Sequence, residues 1–192
     1  MMSNLKLKMG KIEARLFKSS NTENITQWIS RNPRELILTS STLPYPCTPE
    51  IFDNYYKNKY KTGEHEFFSI YATDKQKHIG HFEIKNISKS FGSGTIAHVI
   101  LGDKHYRNKG YGKDFVRLMA LVGFEYLNLY RIGLSVYTFN TNAVAAYIRG
   151  GFVVEGVIRE VIQSDQQRFS LYQMSLLKPE WNKTIDDYIK LR

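Results

Sequence analysis

The sequence predicts a single α/β domain built on one mixed sheet with helices on its faces. Three observations carry that prediction. Apolar residues alternate at period two in about seven short segments, as half-buried strands require. About four other segments gather theirs on one helical face. The two kinds interleave as β-α-α-β-β-β-α-β-α-β-β, an order that fits neither an all-α nor an all-β architecture. A length of 192 residues suits one domain, and 42% hydrophobic content with 11 Phe and 13 Tyr supplies a core.

The elements follow in order. Residues 1–10 read as a flexible basic segment, and the domain runs over 11–181. Ile12 to Phe17 is a first strand. Asn21 to Ser30 is a helix capped by Asn21 or Thr22, with Ile25, Trp28 and Ile29 on one face. Pro44 and Pro46 remove donors and fix φ, so Thr42 to Thr48 is a loop. Thr48 then caps a second helix, with Pro49 at its first position and Ile51, Tyr55 and Tyr56 facing inward. Phe67 to Ala72 and Lys77 to Ile87 are strands joined by a turn at Asp74. Along the second, Phe82, Ile84 and Asn86 point one way, and His81, Glu83 and Lys85 the other. Thr95 to Leu101 is a strand and Gly112 to Asn128 a helix with Phe115, Leu118, Met119 and Val122 on its buried face. Arg131 to Tyr137 is a strand, and Asn140 to Arg149 a short helix. Phe152 to Glu160 and Phe169 to Leu177 form a closing hairpin, and 182–192 is a tail.

Several classes fall away at once. Cys47 is the one cysteine, which excludes a disulfide-stapled scaffold and suits a reducing cytoplasm. No apolar run approaches the ~20 residues of a membrane helix, so no membrane partner is expected. The basic start has no apolar stretch after it of the kind a signal peptide carries. The net charge of +9 and pI of about 9.5 favour an anionic partner. The basic residues are dispersed and no RNA-binding motif appears, which counts against a nucleic-acid-binding module. His78 and His81, three apart on a strand, are expected on opposite faces, and with a single cysteine no metal site is expected.

The informative stretch follows the Thr95 to Leu101 strand. Arg107-Asn108-Lys109-Gly110-Tyr111-Gly112-Lys113 leads directly into a helix. Glycines there let the backbone turn sharply and approach a ligand, and a helix N-terminus presents unpaired N–H groups. Together they suit a pyrophosphate. The Walker pattern fails because Asp114 stands where Ser or Thr belongs, and the dinucleotide pattern fails because Phe115 takes the third glycine position.

Arg107-x-x-Gly110-x-Gly112 resembles the Arg/Gln-x-x-Gly-x-Gly/Ala loop of the GNAT superfamily of acetyl-CoA-dependent N-acetyltransferases. The lead-in Leu101 to Tyr106 is similar to that of its RimJ/RimL-type branch. Downstream, Asn140-x-x-Ala143-x-x-Ala146-Tyr147-x-x-x-Gly151-Phe152 resembles the family's N-x-x-A-x-x-L-Y-E-K-x-G-F. Ala146, Ile148 and Arg149 depart from it, and Gly150 doubles the glycine.

The resemblance implies a mostly antiparallel sheet of about seven strands, splayed at the cofactor site, with about four helices. It implies acetyl-CoA as co-substrate and no metal. The pantetheine arm would lie along Ile100, Leu101 and Gly102, held by Asn140 and Asn142. The pyrophosphate would sit on Arg107 and the amides of Asn108, Lys109, Gly110, Tyr111, Gly112 and Lys113. Transfer would be direct, with a backbone N–H near Leu101 as oxyanion donor. Tyr147 would protonate the thiolate, and the base would be Glu83, His98 or His81, or equally a water chain. The loop Leu43 to Thr48, the hairpin tip Glu160 to Phe169, Tyr45 and Tyr137 would shape the acceptor side. The RimJ/RimL likeness implies a protein N-terminus as acceptor. A polyamine, aminoglycoside or amino sugar remains an alternative, as do an acetyl-CoA-binding sensor and a basic nucleic-acid module. The chain is expected as a monomer or homodimer.

Overall fold

The computed structural model describes residues 5–31, 43–107, 109–164 and 167–182. Its strands are β1 (Leu7–Met9), β2 (Ile12–Leu16), β3 (Glu66–Ala72), β4 (Lys77–Ser88), β5 (Ser93–Leu101), β6 (Arg131–Tyr137), β7 (Val153–Ser164) and β8 (Gln167–Leu177). They form one sheet in the order β1-β2-β3-β4-β5-β6-β8-β7. Each neighbouring pair is antiparallel except β5 with β6. The helices described end to end are α1 (Thr22–Ile29), α2 (Pro49–Tyr60), α3 (Tyr111–Leu121) and α4 (Thr141–Arg149), and residues 178–182 are helical as well. No helix among the described residues is long and apolar enough to cross a membrane.

Alternation along the strands divides the core. Phe82, Ile84 and Ile96 join Leu118, Met119 and Phe124 under α3. On the other face Phe17, Phe67 and Ile100 join Ile25, Trp28 and Phe52 under α1 and α2. Thr48 caps α2 as its sequence predicts, its Oγ1 accepting from the N–H of Ile51 at 3.3 Å.

Four expectations need correction. Residues 7–9 are not loose: Leu7 pairs with Ala14, and Met9 with Ile12, which brings the sheet to eight strands. Leu5, Leu7 and Met9 do alternate with Lys6 and Lys8, but the run is short and stops at Gly10, so it does not stand out as a strand. Asn21 stands at the N-cap of α1 as expected, but its side chain makes no capping hydrogen bond; its Nδ2 donates to the Tyr71 hydroxyl at 2.7 Å. The helix expected to reach Asn128 gives way at Val122 to a π-helical turn over Val122–Tyr126. Gly123 sits so close to β6 that a Cβ there would lie 2.7 Å from Ile132.

The fourth concerns His78 and His81. Register passes from Ile70↔Gly80 directly to Tyr71↔His78, so Ile79 is an extra residue in β4. That bulge turns His78 back to the face of His81. Their rings lie 4.9 Å from Trp28 and 5.7 Å from Phe52, both on the α1/α2 side. The opposite-face argument therefore fails. Among the described residues no group of three or more His, Cys, Asp or Glu is arranged to hold a metal ion.

This burial gives the stability a pH dependence. Desolvation, with the neighbouring His81, pushes His78 down to about 4 from 6.5. Below pH 6.5 the unfolded chain takes up a proton that the folded chain refuses until about pH 4. The contribution of neutral His78 is therefore complete above pH 6.5 and is lost as pH falls toward 4. At about 1.36 kcal/mol per unit it amounts to roughly 3 kcal/mol at most. Thermal unfolding across this window is expected to show the loss. A His78→Phe variant should show a shallower slope, and an unchanged slope would exclude His78 as its source.

Candidate active site

β5 and β6 pair only from Ser93↔Arg131 to Ile96↔Leu134. β5 nevertheless continues to Leu101, and β6 continues to Tyr137 on the β8 side. The cause lies in β5. Its register with β4 passes from Glu83↔Ala97 to His81↔Ile100, so β5 carries one extra residue there. His98 takes the turn in the left-handed region, at φ 47°. The bulge bends β5 away from β6. Ala97, His98 and Val99 are left half-buried on an open strand edge.

The next residues close that edge. Ile100 is buried against α1 and α2 and pairs with His81. The Leu101 carbonyl accepts from Arg107 Nε at 2.8 Å. Gly102 donates its N–H to Ile79 O at 2.9 Å, and its carbonyl accepts from Arg31 Nη2 at 2.9 Å. A Cβ on Gly102 would stand 1.8 Å from the Trp28 ring. Gly102 is thus a packing glycine with both backbone groups engaged. The open backbone begins earlier than the sequence suggested, at Ala97.

The loop after β5 ends at Gly110, which takes φ 84° and caps α3 without a side-chain hydrogen bond. Lys109, Gly110, Gly112 and Lys113 are exposed and Tyr111 is half-buried. A Cβ built on Gly110 or Gly112 meets nothing within 4 Å. Here the glycines leave open space beside the first amides of α3, which suits a bound phosphate. Asn108 lies outside the described residues. A cavity of about 430 Å³ borders the loop, lined by Lys75, Lys77, Tyr106 and Lys109 among others.

Across the splay, Asn140 caps α4 through Oδ1, which accepts from the Ala143 N–H at 3.3 Å, and Asn142 is exposed. The double glycine has two separate causes. A Cβ on Gly150 would lie 2.2 Å from Val116 of α3, and Gly151 takes φ 97°. Tyr147 is buried, with its ring edge-on to Phe152 at 5.8 Å. Among the described residues nothing hydrogen-bonds its hydroxyl, and burial pushes the phenol above its usual range, so it keeps its proton.

Glu83 is the centre of the other side. Its carboxylate is fully buried and accepts four contacts on the α1/α2 face. Tyr55 donates its hydroxyl at 2.8 Å, and His65 Nε2 lies at 2.7 Å. His98 Nδ1 lies at 2.8 Å and His81 Nε2 at 3.2 Å. Burial alone would raise this carboxyl; the charge of His98 and the hydrogen bonds of the three imidazoles outweigh it and hold Glu83 well below the usual carboxylate range. Tyr55 is raised by burial and by the charge of Glu83. The sequence showed Glu83, His81 and His98 but not Tyr55 and His65 as their partners. Tyr55 read as an ordinary inward helix residue, and His65 stands outside any strand pattern.

The expected acceptor residues divide. Tyr45 is exposed at 48%. Tyr137 is buried, its ring 5.1 Å from Phe139 and 5.9 Å from Phe169. Cys47 is buried, and burial lifts its thiol to about 11, which suits a packing residue and not a nucleophile.

Comparison with known proteins bears on the family and the fold. The family model described as an acetyltransferase (GNAT) domain matches residues 12–153. An uncharacterized N-acetyltransferase of Bacillus licheniformis, p20, is 29% identical over 119 residues, 62% of this chain and 66% of that protein. The uncharacterized N-acetyltransferase YoaA of Bacillus subtilis is 26% identical over 112 residues, 58% of this chain and 62% of its own length. The match thus spans about two thirds of these relatives. Among solved structures, a spermidine N-acetyltransferase from Vibrio cholerae in complex with CoA and spermine superposes with TM-score 0.79 at 20% identity, covering 89% of this chain and 98% of that one. A ribosomal-protein-S5-alanine acetyltransferase from Vibrio fischeri gives 0.75 at 22%, covering 93% and 99%.

Proposed function

The chain belongs to the GNAT acetyltransferase family, and from that premise we propose that it transfers the acetyl group of acetyl-CoA directly to a primary amine, the N-terminal amine of a protein. The open edge of β5 from Ala97, beside the bare first turn of α3, carries the cofactor half of this reading. An extended pantetheine arm can pair along such an edge as a strand does, and a pyrophosphate can accept from the amides around Gly110 and Gly112. The thioester supplies an activated acyl group; the chain positions it and handles the protons.

Glu83 supports the acceptor half. A polyamine needs carboxylates that can face its ammonium groups, and Glu83 is buried and satisfied by Tyr55, His65, His81 and His98. Glu66 is half-buried, and burial raises its carboxyl. The net charge of +9 further disfavours a polycation. A single amine on a protein needs no such set of carboxylates. These features support a RimJ/RimL-type acceptor for the proposed reaction.

His98 and Glu83 act as a pair. The Glu83 carboxylate orients His98 with Nδ1–H donating to it, so Nε2 carries the lone pair that takes the proton of the incoming ammonium. A backbone N–H on the open stretch of β5, from Ala97 to Val99, faces the charge that grows on the carbonyl oxygen. Tyr147 gives its proton to the departing thiolate. A thiolate is a fair leaving group unaided, so a Tyr147→Phe variant is expected to lose only roughly tenfold in kcat, below the usual general-acid range. Its thermal stabilisation by acetyl-CoA should not change. Full turnover by Tyr147→Phe would remove the phenol from the mechanism.

The test of the acceptor is steady-state CoA release with peptides bearing a free α-amino group, spermidine and an aminoglycoside. The peptides should give the highest kcat/KM. Preference for spermidine would overturn the acceptor reading, and release with none of them would favour a sensor.

A further inference from the structure

The loop after β5 has two flanks. One faces the splay between β5 and β6. The other faces the turn between β3 and β4, since the strands run in the order β3-β4-β5-β6. Gly102 and Asp103 tie the loop to that second side by donating their N–H groups to Ile79 O, at 2.9 and 3.2 Å. Asp103 Oδ1 then accepts the His105 N–H at 2.9 Å and starts a 3-10 turn over Lys104–Tyr106. That turn packs Tyr106 against the core, its ring edge-on to Tyr111 of α3 at 5.1 Å. The cavity of about 430 Å³ is walled by the β3–β4 turn, the 3-10 turn and the entry to α3. Its size is in the range of a small-ligand site.

The groups on its wall suit an anion. Lys75 comes from the β3–β4 turn and Lys109 from the loop, and among the described residues neither pairs with a carboxylate. Lys77 is already held, its Nζ 2.7 Å from Asp103 Oδ2. Tyr106 is 8% exposed, and among the described residues nothing hydrogen-bonds its hydroxyl. A polar group on so buried a side chain normally has a partner, which a ligand oxygen can supply. Asp74 is the only carboxylate on the wall among the described residues, and its Oδ1 accepts the Lys75 N–H at 2.8 Å. Ammonium groups and a phenol, with no planar guanidinium fork among them, fit an anion that presents several oxygens in different directions. A phosphate monoester does so.

Acetyl-CoA carries such a group on its ribose, beyond its pyrophosphate. With the pantetheine arm on the β5 edge and the pyrophosphate on the α3 amides, the parts of the cofactor follow the order of features across the fold. The arm meets the edge, the pyrophosphate meets the loop, and the ribose phosphate meets the cavity on the far flank. Lys109 and Tyr111 belong to both loop and cavity, so one ligand can span the two. We propose that this cavity holds the 3′-phosphate of acetyl-CoA, with Lys75, Lys109 and the Tyr106 hydroxyl as its donors. This assignment rests on acetyl-CoA being the ligand of the loop. It adds the contacts by which the chain distinguishes acetyl-CoA from its 3′-dephospho form.

Calorimetric titration of the full chain with acetyl-CoA and with 3′-dephospho-acetyl-CoA tests it, with circular dichroism as the check of folding. The parent is expected to bind acetyl-CoA roughly tenfold or more tightly than the dephospho form, as a charge-assisted hydrogen bond gives. Lys75→Ala changes an exposed turn, and Tyr106→Phe keeps the packed ring. Each should weaken acetyl-CoA and leave the dephospho form unchanged, and the double variant should close most of the gap between the two ligands. Equal binding of both ligands by the parent overturns the proposal, as does a gap that the double variant leaves intact. Weakening of both ligands alike also overturns it, because the lost contact is then not to the 3′-phosphate. Binding of neither ligand by the parent overturns the cofactor reading itself, a failure distinct from equal binding of both.

Discussion

A Gly112→Val variant is expected to fold as the parent does and to bind acetyl-CoA at least about a hundredfold more weakly. The structure makes Gly112 the better of the two loop glycines to alter. Gly110 takes φ 84°, so any side chain there strains the backbone whether or not a ligand exists. Gly112 lies in the first turn of α3 outside the positive-φ region, and its added Cβ meets no atom of the chain within 4 Å. Valine also costs a helix less than glycine. The folded protein therefore has no reason to prefer glycine at 112; a phosphate lying on the α3 amides does. Thermal unfolding reads both halves. Without ligand the two proteins should melt alike. Acetyl-CoA at ~100 times its Kd adds about 2.7 kcal/mol to the parent, which is roughly 5 to 10 °C for a domain of this size. Gly112→Val should show almost none of that shift. A full shift in the variant would move the pyrophosphate off this loop.

The same residues show what a sequence reveals and what it hides. The order of strands and helices was legible because each long element keeps one period, as in Phe82 and Ile84 against His81 and Glu83. The cofactor loop was legible because glycine, helix start and basic residues are adjacent in sequence. The splay between β5 and β6 was available only through the family resemblance. Its physical cause is a single extra residue at His98, and a bulge leaves no mark on period-two patterning beyond a slip that resembles noise. The bulge at Ile79 misled in the same way and placed His78 on the wrong face. Gly102 reads in sequence like a ligand-facing glycine, yet its neighbour is Trp28, 74 positions earlier in the chain. The partners of Glu83 were hidden for a related reason. Tyr55, His65 and His98 come from α2, a loop and β5, and only the packed sheet brings them to one carboxylate.

That carboxylate carries the second large effect. His98→Gln is expected to lower kcat by roughly 10²- to 10⁴-fold, the range for removal of a general base. Acetyl-CoA binding should persist, since His98 faces the proton and not the phosphates. Glu83→Gln should also lower kcat, by a different route. It keeps the size of the side chain but removes the acceptor that fixes the Nδ1–H tautomer of His98. It also leaves His65, His81 and Tyr55 without their shared anion, at a cost of about 3 to 5 kcal/mol of stability, as for a broken buried pair. The sign of the pH dependence follows from the lowered carboxyl. Folded Glu83 stays ionised where an ordinary glutamate, at 4.5, is protonated. Its stabilisation is complete above pH 4.5 and is lost as pH falls toward its lower folded value. Glu83→Gln should therefore remove part of the acid sensitivity of unfolding, while His98→Gln should lower turnover with acetyl-CoA binding intact. Each variant thus has a signature the other lacks. Loss of stability without loss of turnover in Glu83→Gln would make the cluster a structural one and send the proton to a water chain. Unchanged turnover in His98→Gln would remove His98 as the base.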